Sequence, residues 1–280
     1  MNYIIADHKC GIFLSGRIVD CINKTNHNFI KYKILKKYHS GLFYKNKFSR
    51  NKYNKLYSFL ISKNEIQNYF LEKTSYLFSL NLKENQKNLA IIRNPKEIII
   101  SGYLYHLKTK EKWCVTKGVN YYDDWFNQFS NEDLIKNKKY IEFGKTFSNE
   151  ISYQSKLKKL NQINGIIYEM QNVSNITLSG LQKICENPKI KKIKFEDLVF
   201  DYDNSIDELL NYFEFNENKK KIFKTFFKKY SLNNSEYKKK NINHITNFEH
   251  NKNRYRDYWN LEIEKKFNEN YPNLMEICGY

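Results

Sequence analysis

The sequence predicts a single α/β domain in which helices flank a central, mainly parallel sheet. Short apolar runs alternate along the chain with longer stretches whose apolar residues recur at helical spacing, which is typical of β–α–β units. A length of 280 residues is enough for one large domain with a well-buried core. Because no Pro-rich linker, internal repeat or low-complexity tail interrupts the pattern, we assign residues 1–280 to one domain.

The first part of the sequence predicts two strands and a helix. Residues 3–6 form a short apolar run, and a polar turn that contains Gly11 connects it to an apolar-rich helix over residues 12–22. Residues 29–38 alternate apolar and basic side chains in part, so they form a second candidate strand. Residues 51–78 show mixed helical spacing.

A strand followed by a helix is predicted in the middle of the chain. Residues 89–92 are a short apolar run, and Pro95 suits the first turn of a helix, where its missing N–H breaks no hydrogen bond. The apolar residues from Ile98 to Leu107 then recur at helical spacing. Residues 110–150 are aromatic and polar with weak periodicity, which indicates loops with short helices.

The last part of the sequence predicts one more strand among several helices. The strand is the apolar-alternating run at residues 190–195. Asp203 or Ser205 is predicted to cap the helix that ends near Phe213. The other predicted helices span residues 151–170, 176–185, 219–230 and 261–271.

The formal net charge of +18 would attract polyanions, including nucleic acid, an anionic cofactor or an acidic glycan. The basic residues are mostly Lys and Asn is abundant, a pattern that an AT-rich genome produces, so the Lys runs at 219–221 and 238–240 are interpreted as solvated faces. No recognised nucleic-acid-binding motif accompanies the charge, so nucleic acid is not favoured as a partner. A basic nucleic-acid-binding protein stays an alternative.

The five cysteines indicate neither a disulfide framework nor a metal site, since their number is odd and no two have CxxC spacing. Reduced thiols of a cytoplasmic protein fit this pattern best. No apolar run reaches the roughly 18 residues that span a bilayer, and Asp7 comes too early for a signal peptide. We therefore expect a cytoplasmic protein with no membrane span and no metal. The sequence does not determine its oligomeric state.

Ligands of open parallel sheets bind at the carboxyl ends of the strands, so the residues just past each predicted strand are the candidate site. After the first strand, Lys9 and Gly11 precede a helix N-terminus and could form an anion cradle, or an ordinary turn. After the strand at 89–92, Arg93 and Ser101 could reach a phosphate; alternatively Arg93 pairs with a carboxylate and Ser101 packs. Residues 194–198 follow the last strand, where the acidic pair could simply cap a turn.

Taken together, these segments resemble the PAPS-dependent sulfotransferase family (PAPS is 3′-phosphoadenosine 5′-phosphosulfate). The segment from Arg93 to Tyr103 resembles the family's 3′-phosphate-binding stretch, and the turn from Lys9 to Phe13 resembles its Lys-x-Gly-Thr-Thr loop. Residues 193–198 resemble the strand that ends in Tyr-Glu-Asp-Leu, and residues 253–259 with the Gly-Tyr ending resemble the last cofactor loop and closing helix. The matches occur in the family's order along nearly the whole chain.

The resemblance implies a sulfotransferase fold of the P-loop nucleotide-kinase type and transfer of a sulfuryl group from PAPS to a hydroxyl or amine. The expected acceptor is a small molecule or a glycan, and residues 110–170 are expected to shape its pocket. Lys9 would act in catalysis by offsetting charge on the departing phosphate oxygen, and His39 is the expected base, with His8, Glu65 and Glu72 as alternatives. The implied cofactor-binding residues are Lys9, Cys10, Gly11, Ile12, Phe13, Arg93, Ser101 and Arg254.

The chain departs from the family pattern where Ile12 and Phe13 replace the paired Thr of the loop. Each missing hydroxyl donor to a charged phosphate removes about 1.5–3 kcal/mol of binding. A degenerate member that keeps the fold without transferring sulfate is therefore the first alternative. A P-loop nucleotide kinase is another, but no Walker motif is present.

Overall fold

The computed structural model describes residues 2–7, 9–26, 71–74, 87–117, 150–228 and 253–280. Within these ranges four parallel strands form one sheet with the spatial order β2-β1-β3-β4. The strands are β1 (Asn2–Ile5), β2 (Leu71–Thr74), β3 (Asn88–Ile92) and β4 (Ile190–Lys194). In the register, Ile5 is opposite Thr74 on one side and Ala90 on the other. The predicted α/β class with a parallel sheet is confirmed.

The helices occupy the connections between the strands and the C-terminal part of the chain, as parallel pairing requires. They are α1 (Ile12–Asn26), α2 (Pro95–His106), α3 (Lys112–Val115), α4 (Tyr153–Lys159), α5 (Gln162–Gln171), α6 (Val173–Glu186), α7 (Phe195–Phe200), α8 (Tyr202–Tyr212), α9 (Glu217–Phe227), α10 (Leu261–Asn270) and α11 (Leu274–Ile277). A 3₁₀ turn spans Arg254–Asp257. No helix of the described segments is long and apolar enough to cross a membrane.

The sheet separates two apolar layers, because successive side chains of a strand point to opposite faces. Ile4, Leu89 and Ile91 belong to the layer that also contains residues of α1, α7, α8 and α9. Ile5 and Ala90 belong to the layer that contains residues of α2, α4, α5, α6, α10 and α11. All five residues of β3 are buried, which is typical of a central strand with both faces covered.

Several predicted boundaries are wrong for identifiable local reasons. The helix predicted at 151–170 is two helices, α4 and α5, because the Asn161 side chain caps a new helix by accepting from the Asn164 N–H at 2.9 Å. Neither Asp203 nor Ser205 caps α8: the helix begins at Tyr202, and Ser205 is buried. Residues 71–74 form a strand within a stretch of helical spacing. The candidate strand at 29–38 lies outside the described residues.

Candidate functional site

The strand order places a topological switch point between β1 and β3. From β1 the chain proceeds to β2 on one side, and it later enters β3 on the other side of β1. In open α/β sheets this is the crevice where ligands bind, at the carboxyl ends of the two strands. The two segments that the sequence singled out follow these ends: the Lys9 turn follows β1, and Arg93 follows β3.

The Lys9 turn and Arg93 are in direct contact. The Arg93 Nη1 donates a hydrogen bond of 2.9 Å to the carbonyl oxygen of Lys9. Within the turn, the N–H of Cys10 donates to the carbonyl of Asp7 at 3.0 Å. Lys9 has φ 64° and Gly11 has φ 87°. A left-handed conformation at a residue other than glycine is disfavoured by about 1–2 kcal/mol, so the surrounding contacts hold the Lys9 backbone in place.

The ammonium of Lys9 lies over an aromatic ring. Its Nζ is 3.1 Å from the centroid of the Tyr105 ring, an arrangement that a cation–π interaction favours. Burial, the largest influence, lowers the pKa of Lys9 to about 7; Arg93 acts in the same direction, and the carboxylates of Glu111 and Glu169 oppose both. The charge of Lys9 therefore changes near neutral pH.

Gly11 allows the turn to pack closely under Phe195, the first residue of α7. A Cβ atom at position 11 would lie 2.9 Å from Cδ2 of the Phe195 ring. The Phe195 ring also supports the guanidinium of Arg93, whose Cζ is 5.0 Å from the ring centroid. Phe195 thus connects the two candidate segments through packing.

A first prediction follows for Gly11→Ala. Ala would need both a left-handed backbone and a displaced Phe195 ring, so we expect a loss of about 1–3 kcal/mol in the free energy of unfolding. Urea unfolding of both proteins measures the difference. Equal midpoints would contradict the close approach of the turn to α7.

The guanidinium groups of Arg93 and Arg254 converge on the buried carboxylate of Glu97. The Glu97 Oε2 is 3.6 Å from Arg93 Nη2 and 3.2 Å from Arg254 Nη2. The Glu97 Oε1 accepts from the backbone N–H of Tyr255 at 2.6 Å. Burial raises the pKa of Glu97, while the two arginines and the Tyr255 N–H oppose that rise. In the structure Arg93 therefore pairs with a carboxylate, that of Glu97, which was the alternative to a phosphate contact.

A second carboxylate, Glu196, connects helix α2 to the end of the described chain. Its Oε1 accepts from the backbone N–H of Asn94 at 3.1 Å, and its Oε2 accepts from the Tyr280 hydroxyl at 2.6 Å. The Asn94 side chain in turn caps α2 by accepting from the Lys96 N–H at 2.9 Å. Glu196, one residue of the acidic pair after the last strand, thus has structural partners at the same edge of the sheet.

The remaining candidates are placed as follows. Ser101 is buried on α2, six residues beyond Pro95, which is about 9 Å along the helix axis. Its contact with a phosphate stays a prediction. Cys10 is buried in the core, and burial raises the pKa of its thiol well above the ordinary value. Ile12 and Phe13 open α1, whose first N–H groups lack partners within the helix.

Other candidates lie beyond the part of the chain that the structure describes. His39, the expected base, is one of them, as are the alternatives His8 and Glu65. Glu72 is within β2. No group of three or more His, Cys, Asp or Glu residues that could hold a metal occurs among the described residues.

Sequence reasoning missed a buried polar cluster that lies next to Lys9. The Glu169 Oε2 accepts from Tyr153 Oη at 2.7 Å and is 2.8 Å from Nδ1 of His106, and its Oε1 accepts from Ser174 Oγ at 2.8 Å. Burial opposes ionisation of Glu169, but His106 and the hydrogen bonds prevail, and its pKa lies below the ordinary value. Gly102 is required here, because a Cβ would lie 2.5 Å from Glu169 Oε1.

A chain of contacts connects this Glu169 cluster to the Lys9 turn. The rings of Trp113 and Tyr105 both meet the His106 ring edge-on, at centroid distances of 5.1 and 5.5 Å. The Tyr105 hydroxyl and the Trp113 Nε1 donate to the two oxygens of Glu111 at 2.8 and 2.7 Å. The Tyr105 ring thus contacts Lys9 on its face while its hydroxyl is held by a carboxylate.

Comparison of the chain with protein-family models, with curated proteins and with solved structures finds no match.

Proposed function

We propose that this chain is a PAPS-dependent sulfotransferase whose donor site is the crevice between the carboxyl ends of β1 and β3. The observation that carries the proposal is the meeting of the Lys9 turn with Arg93 at the topological switch point, through a hydrogen bond of 2.9 Å. The sulfotransferase resemblance assigns both segments to one nucleotide, and the contact supports that assignment. The P-loop nucleotide-kinase-like fold is part of the same proposal.

The Lys9 turn suits the phosphosulfate end of the donor. The Lys9 ammonium is buried against a ring, and burial disfavours its charge, so an incoming anion would supply the counter-charge it needs. The 15-residue helix α1 begins directly after the turn, at Ile12 and Phe13. Its N-terminus presents backbone N–H groups with a partial positive charge.

The arginines suit the 3′-phosphate only in exchange for an internal partner. Arg93 and Arg254 both contact Glu97, and each is almost completely buried. For either guanidinium to bind a phosphate, Glu97 must share or release it. This arrangement supports a second candidate function, a sulfotransferase-like protein that no longer transfers sulfate.

In the proposed reaction the donor, the acceptor and the residues of this chain have separate roles. When bound, PAPS supplies an activated sulfuryl group, whose sulfur bonds to the acceptor oxygen or nitrogen as its bond to the phosphate oxygen breaks. Lys9, when protonated, offsets the charge that develops on that phosphate oxygen. A base, for which His39 remains the proposal, takes the proton of the acceptor, and adenosine 3′,5′-bisphosphate leaves.

Substitution of Arg93 tests the assignment of the 3′-phosphate. We expect the wild-type protein to bind adenosine 3′,5′-bisphosphate at least about tenfold more tightly than adenosine 5′-monophosphate, since a charge-assisted hydrogen bond contributes about 1.5–3 kcal/mol. Arg93→Gln should lose this preference and keep its affinity for the monophosphate. Isothermal titration calorimetry measures all four affinities, and Arg256→Gln, an exposed arginine of the same 3₁₀ turn as Arg254, is the matched control.

Each outcome of that titration has a meaning. Equal wild-type affinities for the two nucleotides would contradict the donor site. Binding of PAPS without release of adenosine 3′,5′-bisphosphate, in the presence of a panel of phenols, sugars and amines, would support the non-transferring candidate instead.

The low pKa of Lys9 gives a pH-dependent signature. At pH 8 the free side chain, with a pKa of about 7, is mostly neutral, whereas an adjacent phosphate favours the ammonium. Binding of adenosine 3′,5′-bisphosphate should therefore take up close to one proton at pH 8 and little at pH 6. Calorimetry in two buffers of different ionisation enthalpy, Tris and HEPES at pH 8 and Bis-Tris and cacodylate at pH 6, measures the uptake from the difference in apparent enthalpy. Uptake that persists in Lys9→Met would assign the proton to another group.

A further inference from the structure

Tyr105 lies between the Lys9 turn and a carboxylate that fixes its ring. It belongs to the last turn of α2 and is buried, and the Lys9 Nζ lies 3.1 Å from the centroid of its ring. At the far end of the ring, the Tyr105 hydroxyl donates to Glu111 Oε1 at 2.8 Å. The ring is thus held by the helix backbone at one end and by a hydrogen bond at the other.

The carboxylate of Glu111 is itself held in place. Its Oε2 accepts from the Trp113 Nε1 at 2.7 Å, and the Glu111 backbone N–H donates to Thr109 Oγ1 at 3.3 Å. The N–H of Thr109 in turn donates to the carbonyl oxygen of Tyr105 at 2.8 Å. Since these bonds close a loop from Tyr105 back to Tyr105, the ring under Lys9 has a defined orientation.

We propose that Tyr105 is a positioning residue, whose ring face holds the Lys9 ammonium where it meets the phosphosulfate end of the donor. A lysine side chain has a flexible stem of four carbons, so an unsupported ammonium would occupy many positions. The electron-rich ring face attracts the ammonium and favours its charged form. An ammonium has three N–H donors, so this contact leaves donors for phosphate oxygens. The use of the contact in donor binding rests on the proposed function, whereas the contact itself does not.

The ring differs from the other groups that act on the charge of Lys9. Burial is the largest influence and opposes the ammonium, as does the guanidinium of Arg93. The carboxylates of Glu111 and Glu169 and the sulfur of Cys114 act in the opposite direction. The ring is the neutral member of this set, and it extends to higher pH the range in which Lys9 is charged and can bind a phosphate.

Fluorinated rings at position 105 test the proposal in the protein without nucleotide. Tyr105→Phe keeps the ring, and Tyr105→3,5-difluorophenylalanine and Tyr105→pentafluorophenylalanine keep its shape while they withdraw electrons from its face. Carbon NMR of protein with labelled lysine Cε atoms measures the titration of Lys9, whose resonance is the one lost in Lys9→Met. The pKa of Lys9 should fall in steps along this series, by at least about 0.5 from Tyr105→Phe to the pentafluoro variant.

Calorimetric titration with adenosine 3′,5′-bisphosphate at pH 8 tests the use of the contact. Tyr105→Phe should bind within about twofold of the wild type. The pentafluoro variant should bind at least about threefold more weakly than Tyr105→Phe, because a fall of about 0.5 in the pKa reduces the charged fraction of Lys9 by that factor. Tyr202→pentafluorophenylalanine is the matched control, since Tyr202 packs against the opposite core layer, and it should change neither the pKa of Lys9 nor the affinity.

The two measurements separate this proposal from the proposed function. Equal pKa values of Lys9 across the fluorinated series would overturn the positioning role of Tyr105, whether or not the nucleotide binds. A stepwise fall of the pKa with equal nucleotide affinities along the series would overturn it as well. A stepwise fall with no nucleotide binding by any of the proteins would support the placement of Lys9 by Tyr105 and contradict the donor site.

Discussion

Glu169→Ala is expected to lower the free energy of unfolding by about 3–5 kcal/mol and the Tm by about 10 °C. The carboxylate accepts from Tyr153 and Ser174 and pairs with His106, and Glu169 and His106 are fully buried. Removal of the acceptor leaves these groups buried without their shared partner, and it adds a cavity. Urea and thermal unfolding at pH 7 measure the loss.

Two further variants test the cause of this loss of stability. Glu169→Gln keeps an oxygen acceptor and removes the charge, so its loss should be smaller than that of Glu169→Ala. Glu262→Ala removes an exposed carboxylate from α10 and should stay within about 0.5 kcal/mol of the wild type. A loss below about 1 kcal/mol for Glu169→Ala would show that the cluster is not an essential part of the core.

Lys9→Met is expected to raise stability while it weakens nucleotide binding. Burial lowers the pKa of Lys9 from 10.5 to about 7, so the unfolded state binds more protons between these two pH values. Stability therefore rises with pH across this window, and the penalty for burying the ammonium is fully present below pH 7. Met places an apolar chain on the Tyr105 ring and should add about 1–2 kcal/mol at pH 6.

The gain has a defined pH dependence. It should shrink between pH 7 and pH 10, because the wild-type lysine is then neutral in the folded state. Thermal melts at pH 6 and pH 9 of the wild type, Lys9→Met and Lys183→Met measure it, with Lys183 as an exposed lysine of α6. A destabilised Lys9→Met at pH 6 would mean that the contact with Tyr105 outweighs the burial of the charge.

The parts of the fold that follow from local chemistry were predictable. The short apolar run before Arg93 predicted β3, and Pro95 predicted the first turn of α2. Neither prediction needed the rest of the chain. Strand β2 was missed because its four residues, Leu-Glu-Lys-Thr, contain only one apolar side chain and lie within a stretch of helical spacing. One predicted helix is in fact two, because Asn161 caps a new helix. The continuous apolar periodicity of the sequence hides this cap.

The site was predictable only as far as strand ends could be recognised. The rule for parallel sheets led to Lys9 and Arg93, because both come just after buried strands. Their partners depend on contacts between residues far apart in sequence: Arg254 reaches Glu97 over 157 residues, and Glu169 reaches His106 over 63. Glu97, four residues after Arg93, was the one signal for an ion pair that spacing alone offers.

The most direct test of the proposed donor site is calorimetric titration of the wild type and Lys9→Met with adenosine 3′,5′-bisphosphate at pH 7. Removal of a charge-assisted contact to phosphate should weaken binding at least about tenfold, and Lys183→Met should bind as the wild type does. Binding that is present in the wild type and lost in Lys9→Met, a variant expected to be stable, would support a nucleotide at the β1–β3 crevice. Equal binding by both proteins, or binding by neither, would contradict it.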